Sequence, residues 1–198
     1  AKVMYKKLFI ALGCILIILG LIGIAKASFM PIKAIIGQHY LEAAWHESLR
    51  NNKLSKPWRS ADFYMIGELK VPRLKISRVI LNSVSGEAMS WGIGRVPNIS
   101  SSLNNQSIVL AGHRDSHMQF MSQLNAGDKI ELIMSDGVMK TFMISKMDVI
   151  DNPELIMSSI NSENESLILT TCWPFNASRS SQQRYIVRAY SLVKNIDL

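Results

Sequence analysis

From Asp62 onward the chain is a succession of short β-forming runs separated by turn residues, and this texture limits the fold more than any other feature. The runs are Tyr64–Leu69, Ile76–Ser83, Ser107–Gly112, Lys129–Ser135, Met139–Ile150, Leu167–Cys172 and Arg184–Leu192. Each is rich in Val, Ile, Leu, Thr or aromatic residues, which suit a pleated, half-buried surface. Gly127-Asp128 and Asp136-Gly137 punctuate the central pair, and Asp136-Gly137 is a strong hairpin signal because glycine accepts the positive φ of a tight turn. Gly92, Gly94 and Pro97 mark a loop, and Ser116 to Leu124 reads as a short helix. Many short strands at this spacing predict a mainly β domain, either a closed barrel or a sandwich.

Two of these strands carry chemistry at their ends. Leu167-Ile168-Leu169-Thr170-Thr171-Cys172 reads as a buried strand ending in a thiol. Arg184-Tyr185-Ile186-Val187 reads as the next strand, starting with a guanidinium, after a loop from Asn176 to Gln183. Paired as a hairpin, the end of one strand lies beside the start of the other, so Cys172 and Arg184 become neighbours at one rim of a sheet. A fixed positive charge lowers the pKa of a nearby thiol and makes it a nucleophile. A third strand, Ile108-Val109-Leu110-Ala111-Gly112, ends at His113-Arg114-Asp115 and presents an imidazole at its terminus. Thiol, imidazole and guanidinium together are what acyl transfer needs: attack on a carbonyl, a proton for the departing amine, and a charge to hold the oxyanion. Each residue alone has a plainer reading: a buried structural thiol, a turn histidine, a solvated strand-end arginine. Asp115 is a candidate orienter of His113, or else a surface partner of Arg114. Arg188 lies four residues after Arg184 on the same strand face and is the second candidate for the arginine.

The two cysteines, Cys14 and Cys172, lie in different environments, so no disulfide is expected. The net charge is +7, but Lys2, Lys6 and Lys7 supply three of those charges and the rest are scattered. That distribution argues against nucleic-acid binding, which clusters basic residues on one face. Behind those lysines, Leu8 to Ala25 is an uncharged apolar run of eighteen residues. At 1.5 Å per residue it is about 27 Å long, enough to cross a hydrocarbon core. The positive-inside rule keeps the N-terminus in the cytoplasm and exports the remainder. Ala25-Lys26-Ala27 resembles a signal-peptide cleavage site, but the run is long for a cleaved signal, so an uncleaved single-pass anchor is preferred. Ile35 to Arg50 has the apolar spacing of an amphipathic helix. His39 and His46 on it are seven residues apart, whereas metal-binding helices place histidines four apart. A polar linker, Asn51 to Ser60, follows. The expected organisation is therefore 1–26 basic tip and anchor, 27–61 helix and linker, and 62–198 β domain.

Taken jointly, Leu169-Thr170-Thr171-Cys172, Arg184-Tyr185-Ile186-Val187 and Ala111-Gly112-His113, in the order His, Cys, Arg, resemble the sortase family over residues of about 62 to 193. Cys172-Trp173-Pro174-Phe175, Pro57-Trp58 and Val71-Pro72-Arg73-Leu74 further resemble sortases encoded by Gram-negative marine bacteria. The resemblance implies a closed eight-stranded β-barrel and a membrane-anchored cysteine transpeptidase. Such an enzyme cleaves an LPXTG-like C-terminal sorting signal, holds the acyl group as a thioester, and passes it to an amine in the cell envelope. It implies Cys172, His113 and Arg184 as the catalytic set. It also sets Thr170 and Thr171 near the substrate groove, with Asp115 as a further substrate-side candidate. Some members bind calcium through a carboxylate cluster; no matching cluster is seen, so no metal and no cofactor are expected. Two other readings remain open. One is a non-enzymatic exported β domain that binds a partner or envelope component. The other is a thiol peptidase that releases its acyl group to water.

Overall fold

The computed structural model describes residues 13–20, 36–51, 53–97, 107–152, 165–177 and 181–192. The chain divides into two compact units, 1–39 and 40–198. In the first unit, residues 13–20 are helical, with Ile15 to Leu19 exposed. The expected anchor, Leu8 to Ala25, lies mostly outside the described residues. Among the described residues no helix is long and apolar enough to cross a membrane.

The second unit is a closed barrel of eight strands, with no sandwich-type split. In chain order the strands are β1 (Met65–Val71), β2 (Ile76–Leu81), β3 (Ile93–Arg95), β4 (Ser107–Ala111), β5 (Lys129–Met134), β6 (Met139–Ile150), β7 (Ser166–Cys172) and β8 (Arg184–Ser191). Around the barrel they run β1-β2-β3-β4-β7-β8-β6-β5, and β5 returns to β1. Seven of these match the seven apolar runs. The eighth, β3, contains Gly94 and falls where the sequence predicts a loop. Glycine is there because the backbone is crowded: a Cβ on Gly94 would sit 2.4 Å from the Ser83 carbonyl oxygen. Close approach of two backbones is one of the few reasons for glycine inside a strand.

The β5–β6 hairpin turns where Asp136-Gly137 predicts. Gly137 has φ +80, its N–H donates to the Met134 carbonyl, and the Asp136 carboxylate accepts the Val138 N–H. The expected helix at Ser116 to Leu124 is a 3-10 turn, Gln119–Gln123. A short helix, Gly86–Trp91, has no counterpart in the sequence pattern; Ser85 caps it by accepting the Ala88 N–H at 3.1 Å.

Period-2 alternation fills the barrel. Leu69, Ile80, Ile108, Leu110, Ile130, Leu132, Phe142, Ile144, Leu167, Leu169, Val187 and Ala189 point inward as one cluster. A second cluster joins Leu41 and Trp45, on the helix over 36–51, to Ala61, Phe63, Met65, Leu81 and Ala88, with Trp58 and Trp91 at its margin. The helix belongs to the barrel's unit from Tyr40 onward, so that unit begins well before residue 62. Its apolar stripe is narrower than the sequence pattern suggests, since Ile36, Tyr40 and Leu49 stay exposed. A third cluster, Val109, Ile168 and Ile186 with Val96 and Ile150, lies on the outer face of β4, β7 and β8. Strand β7 is therefore buried on both faces, which is why its sequence is a continuous apolar run with no alternation.

Candidate active site

The outer face of β4, β7 and β8 leads to the thiol. Strands β7 and β8 pair antiparallel, with Cys172 directly opposite Arg184. Directly opposed residues share a face, so the thiol and the guanidinium side chain emerge together. Strands β4 and β7 pair in parallel, with Ile108 opposite Leu167 and Ala111 opposite Thr170. Continuing that register two residues past the end of β4 sets Gly112 beside Thr171 and His113 beside Cys172. A hydrogen bond fixes the continuation: the Thr171 hydroxyl donates to the Gly112 carbonyl at 2.7 Å. His113, Cys172 and Arg184 therefore meet at one rim of the barrel, on its outer face. His113 is exposed and the other two are half-buried, so all three are open to a ligand.

Arg184 is held by its own loop. Its Nη1 donates to the carbonyls of Ser181, Gln182 and Gln183 at 2.7, 3.2 and 3.0 Å. These bonds aim the guanidinium while engaging one nitrogen. Arg188, the other candidate, faces the same way but donates to the Asp148 carboxylate on β6. Its side chain is only 15% exposed and sits opposite Ile168, four residues back along β7 from the thiol. The geometry favours Arg184.

Three other candidates separate. Thr170 lies on the same outer face as Cys172, is 7% exposed, and has a buried hydroxyl with no hydrogen-bond partner. Burying an unpaired hydroxyl costs roughly 1–3 kcal/mol, so its retention beside Cys172 calls for a reason. Thr171 points the other way. It is 3% exposed, faces inward, and spends its hydroxyl on Gly112. Asp115 is exposed, and none of the salt bridges among the described residues includes it.

Sequence reasoning missed Arg114. It reads as surface decoration beside Asp115, yet it is 9% exposed and its Nη2 donates to the Ala177 carbonyl at 2.6 Å. It also missed the role of Trp173-Pro174-Phe175. Trp173 stacks on Tyr185 at 5.5 Å and Phe175 meets both rings edge-on, packing a three-ring cluster just beyond the thiol. The Trp173-Pro174 peptide is cis. Phe175 and Tyr185 join the barrel core, and burial raises the Tyr185 phenol above its ordinary pKa. Four residues past His113, His117 approaches the Ser90 carbonyl at 3.2 Å, and burial lowers its pKa, with Arg78 and His113 adding to the effect. Among the described residues no three His, Cys, Asp or Glu side chains gather as a metal-ligand set.

A family model for the sortase domain matches residues 69–192, a range that contains His113, Cys172 and Arg184. Sortase D of Bacillus subtilis (strain 168) is 31% identical over 121 residues, covering 61% of this chain and 61% of that protein. The chain thus spans about three-fifths of the length of that relative. Among solved structures, sortase A from Corynebacterium diphtheriae is similar at TM-score 0.57 and 18% identity, over 71% of this chain and 66% of that one. Sortase C of Clostridium perfringens, solved with the C-terminal cell wall sorting motif, is similar at TM-score 0.57 and 16% identity, over 82% of this chain and 90% of that one. At such identities the structural likeness speaks to the barrel fold.

Proposed function

The chain belongs to the sortase family, and from that premise we propose that it is a cysteine transpeptidase acting on exported proteins. The observation that carries the reading is the β7–β8 register, which sets Cys172 opposite Arg184, with His113 two residues beyond β4 on the neighbouring parallel strand. In the proposed reaction the Cys172 thiolate attacks the carbonyl of a sorting-signal peptide bond. The His113 imidazolium gives its proton to the departing amine, and Arg184 holds the tetrahedral oxyanion through Nε or Nη2. A thioester on Cys172 remains. An incoming amine attacks it, loses a proton to His113, and expels the Cys172 thiolate, which restores the starting thiolate and imidazolium. The substrate proposed is a C-terminal sorting signal of LPXTG type, and the acceptor an amine of the cell envelope. Sortase C of Clostridium perfringens, solved with the C-terminal cell wall sorting motif, supports a C-terminal sorting signal as the substrate class by analogy.

The apolar run Leu8 to Ala25 behind Lys2, Lys6 and Lys7 supports a single-pass anchor, with the barrel on the extracytoplasmic side. Cys172-Trp173-Pro174-Phe175 and Pro57-Trp58 support a place among the Gram-negative sortases.

Intact-protein mass spectrometry of the full chain mixed with candidate sorting peptides tests the chemistry. The expected result is a mass increase equal to the cleaved acyl fragment, absent in Cys172→Ala and discharged by an added amine. An adduct discharged equally fast by water alone would make the protein a peptidase. No adduct with any peptide, together with a thiol that resists alkylation until unfolding, would leave a non-enzymatic binding domain.

A further inference from the structure

The segment that carries the imidazole is tied down at three successive residues. The Gly112 carbonyl accepts the Thr171 hydroxyl at 2.7 Å, one residue before the thiol. The His113 carbonyl accepts the N–H groups of Met118 at 3.0 Å and Ser116 at 3.5 Å, which closes the turn behind it. The Arg114 guanidinium donates through Nη2 to the Ala177 carbonyl at 2.6 Å, five residues after the thiol. The receiving loop is itself braced: the Ala177 N–H donates to the Pro174 carbonyl at 3.2 Å, and the Trp173 N–H to the Gln183 carbonyl at 3.0 Å. His113 is thus flanked by two cross-links to the segment that flanks Cys172, one on each side.

Arg114 is an expensive way to make such a link. A guanidinium that is 9% exposed gives up most of its hydration. A short apolar residue at this position would fill space without that cost, but could not reach across to a carbonyl on the facing loop. The register of β4 and β7 fixes their backbones only as far as Ala111 and Thr170. Beyond it, the Thr171 bond and the Arg114 bond link the imidazole segment to the thiol segment.

We propose that Arg114 is a positioning residue: together with Thr171 it clamps the His113 segment against the Cys172 segment, setting the distance between imidazole and thiol. Arg114 touches no substrate in this assignment. It acts through His113, and its effect falls on the chemical step. The proposal rests on the transpeptidase reading for its kinetic consequence alone. The clamp itself is a statement about thiol and imidazole.

The full chain and its Arg114→Gln, Arg114→Lys, Thr171→Val and His113→Ala variants are compared by two readouts. One is kcat and KM for cleavage of a sorting peptide. The other is the rate of Cys172 alkylation by iodoacetamide against pH, which needs no substrate. In Arg114→Gln, kcat is expected to fall about 10- to 100-fold with KM within about twofold, the scale of loss from a small misplacement of a catalytic group. The alkylation profile should shift toward that of His113→Ala, because an imidazole acts on a neighbouring thiol only while the two are held together. Arg114→Lys should recover part of the loss, since an ammonium N–H can replace the bond to Ala177. Thr171→Val keeps volume and barrel packing while removing the other link, so it reports even if Arg114→Gln fails to fold; it should lower kcat in the same sense. Wild-type kcat and a wild-type alkylation profile in folded Arg114→Gln, or in Thr171→Val where the former does not fold, overturn the clamp and leave the transpeptidase reading intact. A lowered melting temperature with both readouts unchanged overturns it equally, as a purely structural role. If wild type acylates with no peptide, yet Arg114→Gln still takes the His113→Ala alkylation profile, the clamp stands and the transpeptidase reading falls.

Discussion

At the scale of single residues, the site is set by which face of a strand each side chain takes. Cys172 and Thr170 share the outer face, Thr171 the inner one, and a difference of one position separates an unpartnered hydroxyl from one that bonds the Gly112 carbonyl. Thr170→Val should therefore leave the free protein folded and at least as stable, because it removes an unpaired buried hydroxyl. If that hydroxyl bonds the bound peptide, KM for a sorting peptide rises several-fold with kcat little changed; equal KM values in the two proteins would show that it does not. Arg184→Lys should lower kcat by roughly 100-fold, since a point charge does not reproduce a planar fork aimed by three carbonyls. Steady-state kinetics on the purified variant measures this. The proposed trio of His113, Cys172 and Arg184 was legible in the sequence because each member stands at or just past the end of a strand, and strand ends can be read from apolar runs. Arg114 was not legible. Its burial follows from a loop 63 residues away, and an arginine beside an aspartate in sequence reads as a surface pair.

At the scale of elements, side chains bridge the ends of neighbouring strands. Asp128, at the foot of β5, takes two bonds from Arg73 after β1, at 2.6 and 2.7 Å, and one from the Asn125 N–H at 2.8 Å. The hydrogen-bonded Arg73 guanidinium holds the Asp128 carboxyl below the ordinary aspartate value of 3.8. A carboxyl whose pKa is lower in the folded chain than in the unfolded one stabilises the fold at pH above 3.8, and that contribution is lost as pH falls through the folded value. Asp128→Asn should cost on the order of 1–3 kcal/mol at neutral pH, and the gap to wild type should shrink in acid; urea melts at several pH values measure both. His117 acts in the opposite part of the scale. Burial lowers it from 6.5, so as pH falls past that value the unfolded chain takes the proton first and the fold loses stability. Thermal melts from about pH 8 to about pH 5 should show a smaller decline in His117→Gln than in wild type. The seven long strands were readable from periodicity. The eighth was not, because its glycine answers to a neighbouring backbone that only the closed barrel brings near. Nor was the short helix at Gly86–Trp91, whose six residues give periodicity too little length to register.

At the scale of the whole molecule, the inward faces of all eight strands make one core, and the site depends on its closure. Leu169 on β7 is fully buried three positions before the thiol. Leu169→Ala should destabilise the fold by about 2–5 kcal/mol through lost contact and the cavity left behind, measured by urea denaturation. Its tryptophans divide along the same architecture. Of the four, Trp45, Trp58 and Trp91 belong to the helix-side cluster, while Trp173 lies apart from them, stacked on Tyr185 next to Cys172. The protein carries a built-in optical gauge: one indole reports on what becomes attached to its neighbouring sulfur, and three others provide an internal reference far along the chain. Ligation at Cys172 can thus be followed by emission in unlabelled protein, with Trp173→Phe as the control that should go dark to the event while the reference signal stays.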